Sequence, residues 1–431
     1  MIAALLVAVL TVRGCGAYVA RNNVCGTFRD YATIDTNVNC WYNPDVGSSP
    51  RLIAKRYGYP FERHTVTTED GYILDLHRIP GGYKAPGRSK RIPVLLQHGA
   101  GGVSAFWMLQ GNNSVAFVLA NQGYDVWLLN HRGTYYSSKH QRLTTNDPQY
   151  WNFGFHDVAV YDLPACIEYV ASKTGSKGNL IYVGHSMGTT TSYVYSMIKK
   201  GHARDHLSGI VSLAPVAYMG NVTGMFKLIA SSVSPIKKLA QSFGINAVGQ
   251  FHRAQSQLLA LTCGRYPLIR TCHSVVAASS GIAPEQVQPE LLPVFLSYYP
   301  SALSLKTLEH YSQLINNATF SWYDHGPSKN VLVYSATAPP VYDVSKIELP
   351  LHLFIGTADI IGNAADAAIL YDKTNSGKTN TQTWRYFFPF AHNDFFLAKD
   401  VGPFYEKLLS VLDGMRATAS SQSSKIMTKN I

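Results

Sequence analysis

The sequence predicts an α/β fold, a mostly parallel sheet flanked by helices and interrupted late by a mostly helical insertion. Three observations predict it. Short apolar runs alternate with helical patterns over residues 92–213. That rhythm requires crossover connections, and so parallel strands covered on both faces. The rhythm stops between Met219 and about Asn330, where apolar residues follow helical spacing only. It resumes at residues 349–355 and 383–388.

Taken in order, the chain opens on an apolar run over residues 2–12, followed by Gly14, Cys15, Gly16 and Ala17. The run is too short to span a bilayer, which takes about 20 residues. An apolar core followed by small residues reads as a secretory signal peptide, residues 1–17. No later run is long enough to cross a membrane, so no transmembrane segment is expected. A polar, turn-rich stretch continues to Pro50. Alternating apolar residues over 63–68 and 72–79, on either side of Glu69-Asp-Gly71, read as a β-hairpin. Strands are predicted over 93–97, 124–129, 179–183 and 207–213. Helices are predicted over 112–121, 158–172 and 189–200. The resulting organisation is an α/β core over 45–216 and 331–412, with an insertion over 217–330. The tail, 416–431, is rich in Ser, Thr, Ala and Lys and is expected to be disordered.

Composition removes several classes of function. The chain has 431 residues, 46% of them hydrophobic and 15% charged, which excludes global disorder. The net charge is +11. The basic residues are scattered, with small clusters at Arg88 to Arg91, Lys199-Lys200 and Lys237-Lys238. Nucleic-acid binders concentrate theirs in a stripe or tail, so no nucleic-acid partner is expected. Of the six cysteines, Cys15 leaves with the signal. Five remain, an odd number, so at least one stays unpaired. Cys166 lies in an amphipathic helical pattern and is expected to be the buried thiol. Pairing Cys263 with Cys272 closes one short loop, and Cys25 with Cys40 closes another. The second pairing is left open at this stage. Asn112, Asn221 and Asn317 each begin an Asn-x-Ser/Thr sequon, the acceptor pattern for glycosylation.

The chemistry centres on Gly184-His-Ser-Met-Gly188. This Gly-x-Ser-x-Gly lies between a predicted strand and a predicted helix. That is the context of a nucleophile elbow, where the glycines allow a sharp turn that lifts Ser186 Oγ above the sheet. A serine needs a base, and the base needs an orienting acid. In this arrangement the acid and then the histidine follow the serine along the chain. Asp359 follows the strand 349–355, and His392 follows the strand 383–388. Both positions fall at the C-terminal edge of the sheet, with Ser186. Asp366 and Asp372 are the alternative acids, but both lie in a predicted helix. Two backbone N–H donors must stabilise the oxyanion. Met187 follows the nucleophile, and Ala100 lies in the glycine-rich loop His98-Gly-Ala-Gly-Gly102. His98 and His185 adjoin the site and are expected to orient loops.

These residues sit within longer motifs: Thr68-Glu-Asp-Gly-Tyr-Ile-Leu74, Leu119-Ala-Asn-Gln-Gly-Tyr-Asp-Val-Trp127, Arg132-Gly133, Tyr161-Asp-Leu-Pro-Ala165, Leu213-Ala-Pro-Val216 and Asn393-Asp-Phe395. Together they resemble the acid lipases of the gastric and lysosomal type, within the α/β-hydrolases, over roughly residues 45 to 412. The resemblance implies an α/β-hydrolase fold with a helical cap or lid inserted over the active site. It implies hydrolysis of triacylglycerols and cholesteryl esters at a droplet, micelle or lipoprotein surface, with no cofactor and no metal. It implies Ser186 as nucleophile, Asp359 as acid, His392 as base, Ala100 and Met187 as the oxyanion hole, and Cys263–Cys272 as a cap disulfide. Secretion or lysosomal delivery is expected with it. The chain departs from the family at Met187, usually Gln, at Ala100, usually Leu, and at Ala391 and Asn393. Those changes bear on substrate preference. Two rival readings are a carboxylesterase for small soluble esters and a catalytically retired lipid-binding protein.

Overall fold

The structure is a computed structural model describing residues 21–82, 91–249, 252–376 and 382–429. The expected signal peptide lies outside the described residues. Eight strands form the main sheet: β1 (Glu62–Thr67), β2 (Tyr72–Ile79), β3 (Pro93–Gln97), β4 (Asp125–Leu129), β5 (Leu180–His185), β6 (Leu207–Leu213), β7 (Leu351–Gly356) and β8 (Thr383–Phe388). Their order across the sheet is β8-β7-β6-β5-β3-β4-β2-β1, and the two-residue strand Lys139–His140 pairs with β2. All pairings from β8 to β4 are parallel. The β1–β2 hairpin is antiparallel, and β2 runs antiparallel to β4.

The strand sequences explain this order. Every residue of β3, β4, β5 and β7 is buried. Continuous apolar strands belong inside a parallel sheet, with helices over both faces. The edge strands β1 and β8 alternate less and more exposed positions instead. The helices used below are α1 (Val115–Asn121), α2 (Leu163–Thr174), α3 (Met187–Ile198) and α4 (Lys200–His206). Between β6 and β7 come α5 (Gly224–Ile229), α6 (Val233–Ser242), α7 (His252–Cys263), α8 (Leu268–Ser280), α9 (Leu291–Leu296), α10 (Leu305–Asn317) and α11 (Pro327–Tyr334). α12 (Ala364–Asn375) joins β7 to β8, and α13 (Gly402–Lys429) is the last described element.

Several motif residues hold the scaffold together. The buried Arg132 guanidinium pairs with Asp70 in the β1–β2 turn and with Asp162. Asp162 lies on a π-helical turn, Val158–Asp162, that leads into α2. The guanidinium also stacks over the Tyr72 ring at 3.9 Å. One buried cation thus joins the hairpin, the end of β4 and α2. Cys25 pairs with Cys40, and Cys263 pairs with Cys272, linking α7 to α8. Cys166 is free and buried.

Two expectations need correction. The tail expected to be disordered continues α13 to Lys429. Residues 415–429 contain no Gly or Pro to stop a helix, and Ala, Ser and Lys tolerate one. The expected end of the insertion at 330 falls inside α11. A composition shift marks where strands resume and does not register a helix that crosses the boundary.

Candidate active site

β5 leads directly into Ser186, which caps α3 with φ 53° and ψ −117°. A non-glycine residue at positive φ persists only where its surroundings enforce it. Here they do. A Cβ on Gly184 would lie 2.6 Å from the backbone of Gly188, and one on Gly188 would lie 2.6 Å from the Gln97 carbonyl oxygen. Gly99 is constrained from the other side, since a Cβ there would lie 2.8 Å from Ser186 Cβ. The elbow therefore packs backbone against backbone, which only glycine permits.

Ser186 Oγ lies 2.7 Å from His392 Nε2, and His392 Nδ1 lies 2.8 Å from Asp359 Oδ2. Asp359 Oδ1 accepts the backbone N–H groups of Ile361 and Gly362, at 2.8 and 2.9 Å. A carboxylate can only accept, so His392 Nδ1 carries its proton and Nε2 is left to accept from the serine hydroxyl. Asp359 and His392 are buried. They stand on the loops after β7 and β8, beside the elbow after β5.

The serine faces an apolar cavity of about 180 Å³. Gly99, Ala100 and His392 line it from the core. Phe226, Val233, Leu308, Tyr311 and Ile315 line it from α5, α6 and α10. The inserted segment thus roofs the C-terminal edge of the sheet, where open α/β folds bind ligands.

Comparison with known proteins bears on this geometry. Residues 92–398 match the model of the α/β-hydrolase fold, and residues 51–111 match that of a partial α/β-hydrolase lipase region. The chain is 33% identical to human lipase member K over 376 residues, covering 86% of this chain and 92% of that protein. It is 33% identical to human gastric triacylglycerol lipase over 340 residues, covering 77% and 83%. The chain belongs to the α/β-hydrolase lipases. A soluble variant of yeast (Saccharomyces cerevisiae) monoglyceride lipase shares the fold at a TM-score of 0.52 and 16% identity, covering 83% of this chain and 95% of that one.

Within that family frame the remaining site candidates sort by position. Ala100 lines the cavity beside Ser186. Met187 is the first residue of α3, and its side chain is buried in the core. The first N–H groups of a helix have no partner within the helix. Asp366 does not meet His392, because its carboxylate accepts from the backbone and amide nitrogens of Asn221. Asn112, Asn221 and Asn317 are all exposed.

Spatial neighbours support the site, among them the two histidines expected to orient its loops. His185 Nε2–H donates to the His392 carbonyl at 2.8 Å, which pins the histidine loop to the elbow. Burial, followed by the neighbouring His392, holds the His185 pKa well below its ordinary value, so the ring stays neutral. His98 donates through Nδ1 to the Gly99 carbonyl and is likewise held neutral by burial. Asp394 accepts the Ala391 N–H at 2.7 Å, and burial pushes its carboxyl up to about 6. Only the adjacency of Asp394 to His392 hinted at that role, and adjacency does not reveal burial.

Proposed function

We propose that this chain is a serine lipase that hydrolyses neutral lipid esters, triacylglycerol or cholesteryl ester or both, through an acyl-enzyme. Ser186 Oγ attacks the ester carbonyl while His392 Nε2 takes its proton. Asp359 holds the imidazole in place and stabilises its charged form. The backbone N–H groups of Ala100 and Met187 stabilise the tetrahedral oxyanion. His392 then returns the proton to the leaving alcohol. Water, activated by the same histidine, releases the fatty acid.

The observation that carries this reading is the Ser186–His392–Asp359 hydrogen-bonded chain opening into an apolar cavity under an inserted helical segment. An acyl chain can fill such a cavity. The segment acts as a cap. It also presents an apolar outer face, with Leu228, Ile236, Leu239, Phe243, Leu258 and Leu261 all more than half exposed. Ile236, Leu239 and Phe243 follow helical spacing along and just beyond α6, so they share one face. Apolar faces left in water fit a droplet, micelle or lipoprotein surface. Among the described residues no helix is long and apolar enough to cross a membrane. The two disulfides fit passage through an oxidising secretory route to the extracellular space or the lysosome.

Ser186→Ala should lower hydrolysis of emulsified long-chain triacylglycerol by about 10⁴-fold or more, and should abolish labelling by a fluorophosphonate. A variant that keeps near-normal turnover would sink the assignment. Equal or faster turnover of soluble short esters than of emulsion would move the reading to a carboxylesterase.

A further inference from the structure

A second cluster of chemistry-bearing side chains lies on the opposite side of the molecule from Ser186. His202 and His206 stand one turn apart on α4, and Glu168 faces them from α2. One ligand atom from each, His202 Nε2, His206 Nε2 and a Glu168 carboxylate oxygen, lies within 4.8 Å of the others. α4 leads into the N-terminal end of β6, whereas Ser186 sits beyond the C-terminal end of β5.

The hydrogen bonds around the two rings aim them. His206 Nδ1 lies 2.8 Å from the His202 carbonyl, which can only accept, so Nδ1 carries the proton. The His206 Nε2 lone pair then points at Glu168 Oε2, 2.9 Å away. That nitrogen is buried, on a side chain only 4% exposed, and makes no hydrogen bond. His202 Nδ1 is held by the Tyr195 hydroxyl at 2.6 Å, which turns its Nε2 toward the same carboxylate at 3.4 Å. The rings stack at 4.1 Å. The buried His206 Nε2 lone pair and the Glu168 carboxylate face each other and repel unless something positive lies between them.

We propose that Glu168, His202 and His206 form a binding site for a divalent transition cation of the zinc type. Two imidazole nitrogens one helical turn apart plus one carboxylate oxygen is a donor set that suits Zn²⁺. The second nitrogen of each ring is already bonded, the arrangement that orients metal-ligating histidines. Glu168 is 63% exposed at its side chain, which leaves an entry path and room for water as the fourth ligand. At zinc distances of 2.0–2.1 Å, tetrahedral ligand atoms stand about 3.3 Å apart. Glu168 Oε2 already stands near that separation from both nitrogens, at 2.9 and 3.4 Å, so the closure, of about an ångström or more, falls on the His202 and His206 rings. The bound ion clamps α2 to α4. Through Tyr195 it also braces the far end of α3, about 14 Å along the helix from Ser186.

The test uses tag-free, chelator-treated protein near neutral pH. Zn²⁺ is titrated against a chromophoric chelator, and Co²⁺ is followed by its visible absorption. One Zn²⁺ per chain should bind and raise the melting temperature, and Co²⁺ should show the intense bands of a low-coordinate site. Glu168→Gln and His202→Gln should each weaken binding at least about tenfold, and Tyr195→Phe should weaken it less. Glu168 is exposed, so its variant tests binding without threatening the fold. Soluble-ester hydrolysis by metal-free Glu168→Gln should match the parent. Absence of saturable Zn²⁺ binding, or equal affinity in parent and Glu168→Gln, would overturn the proposal and leave a protonated His206–Glu168 ion pair only.

Discussion

Asp394 carries a protein-specific charge effect two residues from His392. Its carboxyl is pushed up to about 6 by burial, with Asp359 and Glu285 adding repulsion, against the lowering effect of the Ala391 N–H and His392. The folded chain therefore binds this proton more tightly than the unfolded chain, where the ordinary value is about 3.9. The stabilisation is complete below pH ~4 and is lost as pH rises through about 6. The loss across that window amounts to about 2–3 kcal/mol. Urea unfolding at a series of pH values should show stability falling over the window in the parent, with a shallower fall in Asp394→Asn. Parallel curves would refute it. At this scale Ser186, Asp359 and His392 were readable because each follows a strand, so chain order and a five-residue motif sufficed. His185 was legible as a loop-orienting neighbour, but its partner, a carbonyl 207 residues away in the chain, was not, and neither was the burial that shifts Asp394.

The inserted helices roof the cavity in front of Ser186. α6 turns Ile236 and Leu239 outward, at 57% and 63% exposure, and Phe243 just beyond it is 75% exposed. Leu239→Lys with Phe243→Asp should reduce hydrolysis of emulsified triacylglycerol several-fold and leave a soluble short ester unaffected. Equal loss on both substrates would mean that these side chains support folding instead of surface contact. The core strands and the hairpin were legible because their apolar period is unambiguous. The insertion was legible only as helical. Its two-residue strand pair, Ala247–Val248 with Leu303–Ser304, is too short to show any period.

Across the whole molecule, the segment before Pro50 clasps the insertion. The Tyr298 hydroxyl bonds the Asp45 and Ser48 carbonyls at 2.8 and 2.6 Å, Gly47 N–H donates to Ser297 Oγ, and the Tyr31 hydroxyl donates to the Pro289 carbonyl. These contacts join residues about 250 positions apart. Tyr298→Phe should cost about 1–3 kcal/mol of unfolding free energy, by leaving buried carbonyls without a donor. The turnover number on a soluble ester should stay near the parent's, because Tyr298 touches neither Ser186 nor His392. Unchanged stability in chemical denaturation would show that water replaces the hydroxyl.

The amino-acid sequence alone pointed to the parallel sheet, the strand-to-helix turn at Ser186 and the chain order of Ser186, Asp359 and His392, and it showed a helical insertion without fixing where that insertion ends. Those features are local, or repeat with the period of the backbone. Tertiary structure alone decided that Cys25 meets Cys40, that Asp366 turns to Asn221, and that Glu168, His202 and His206 converge. It also decided which apolar residues line the cavity and which are left in water. Each of these depends on how distant segments pack, and a one-dimensional pattern carries no record of which lone pairs and apolar faces end up opposite one another.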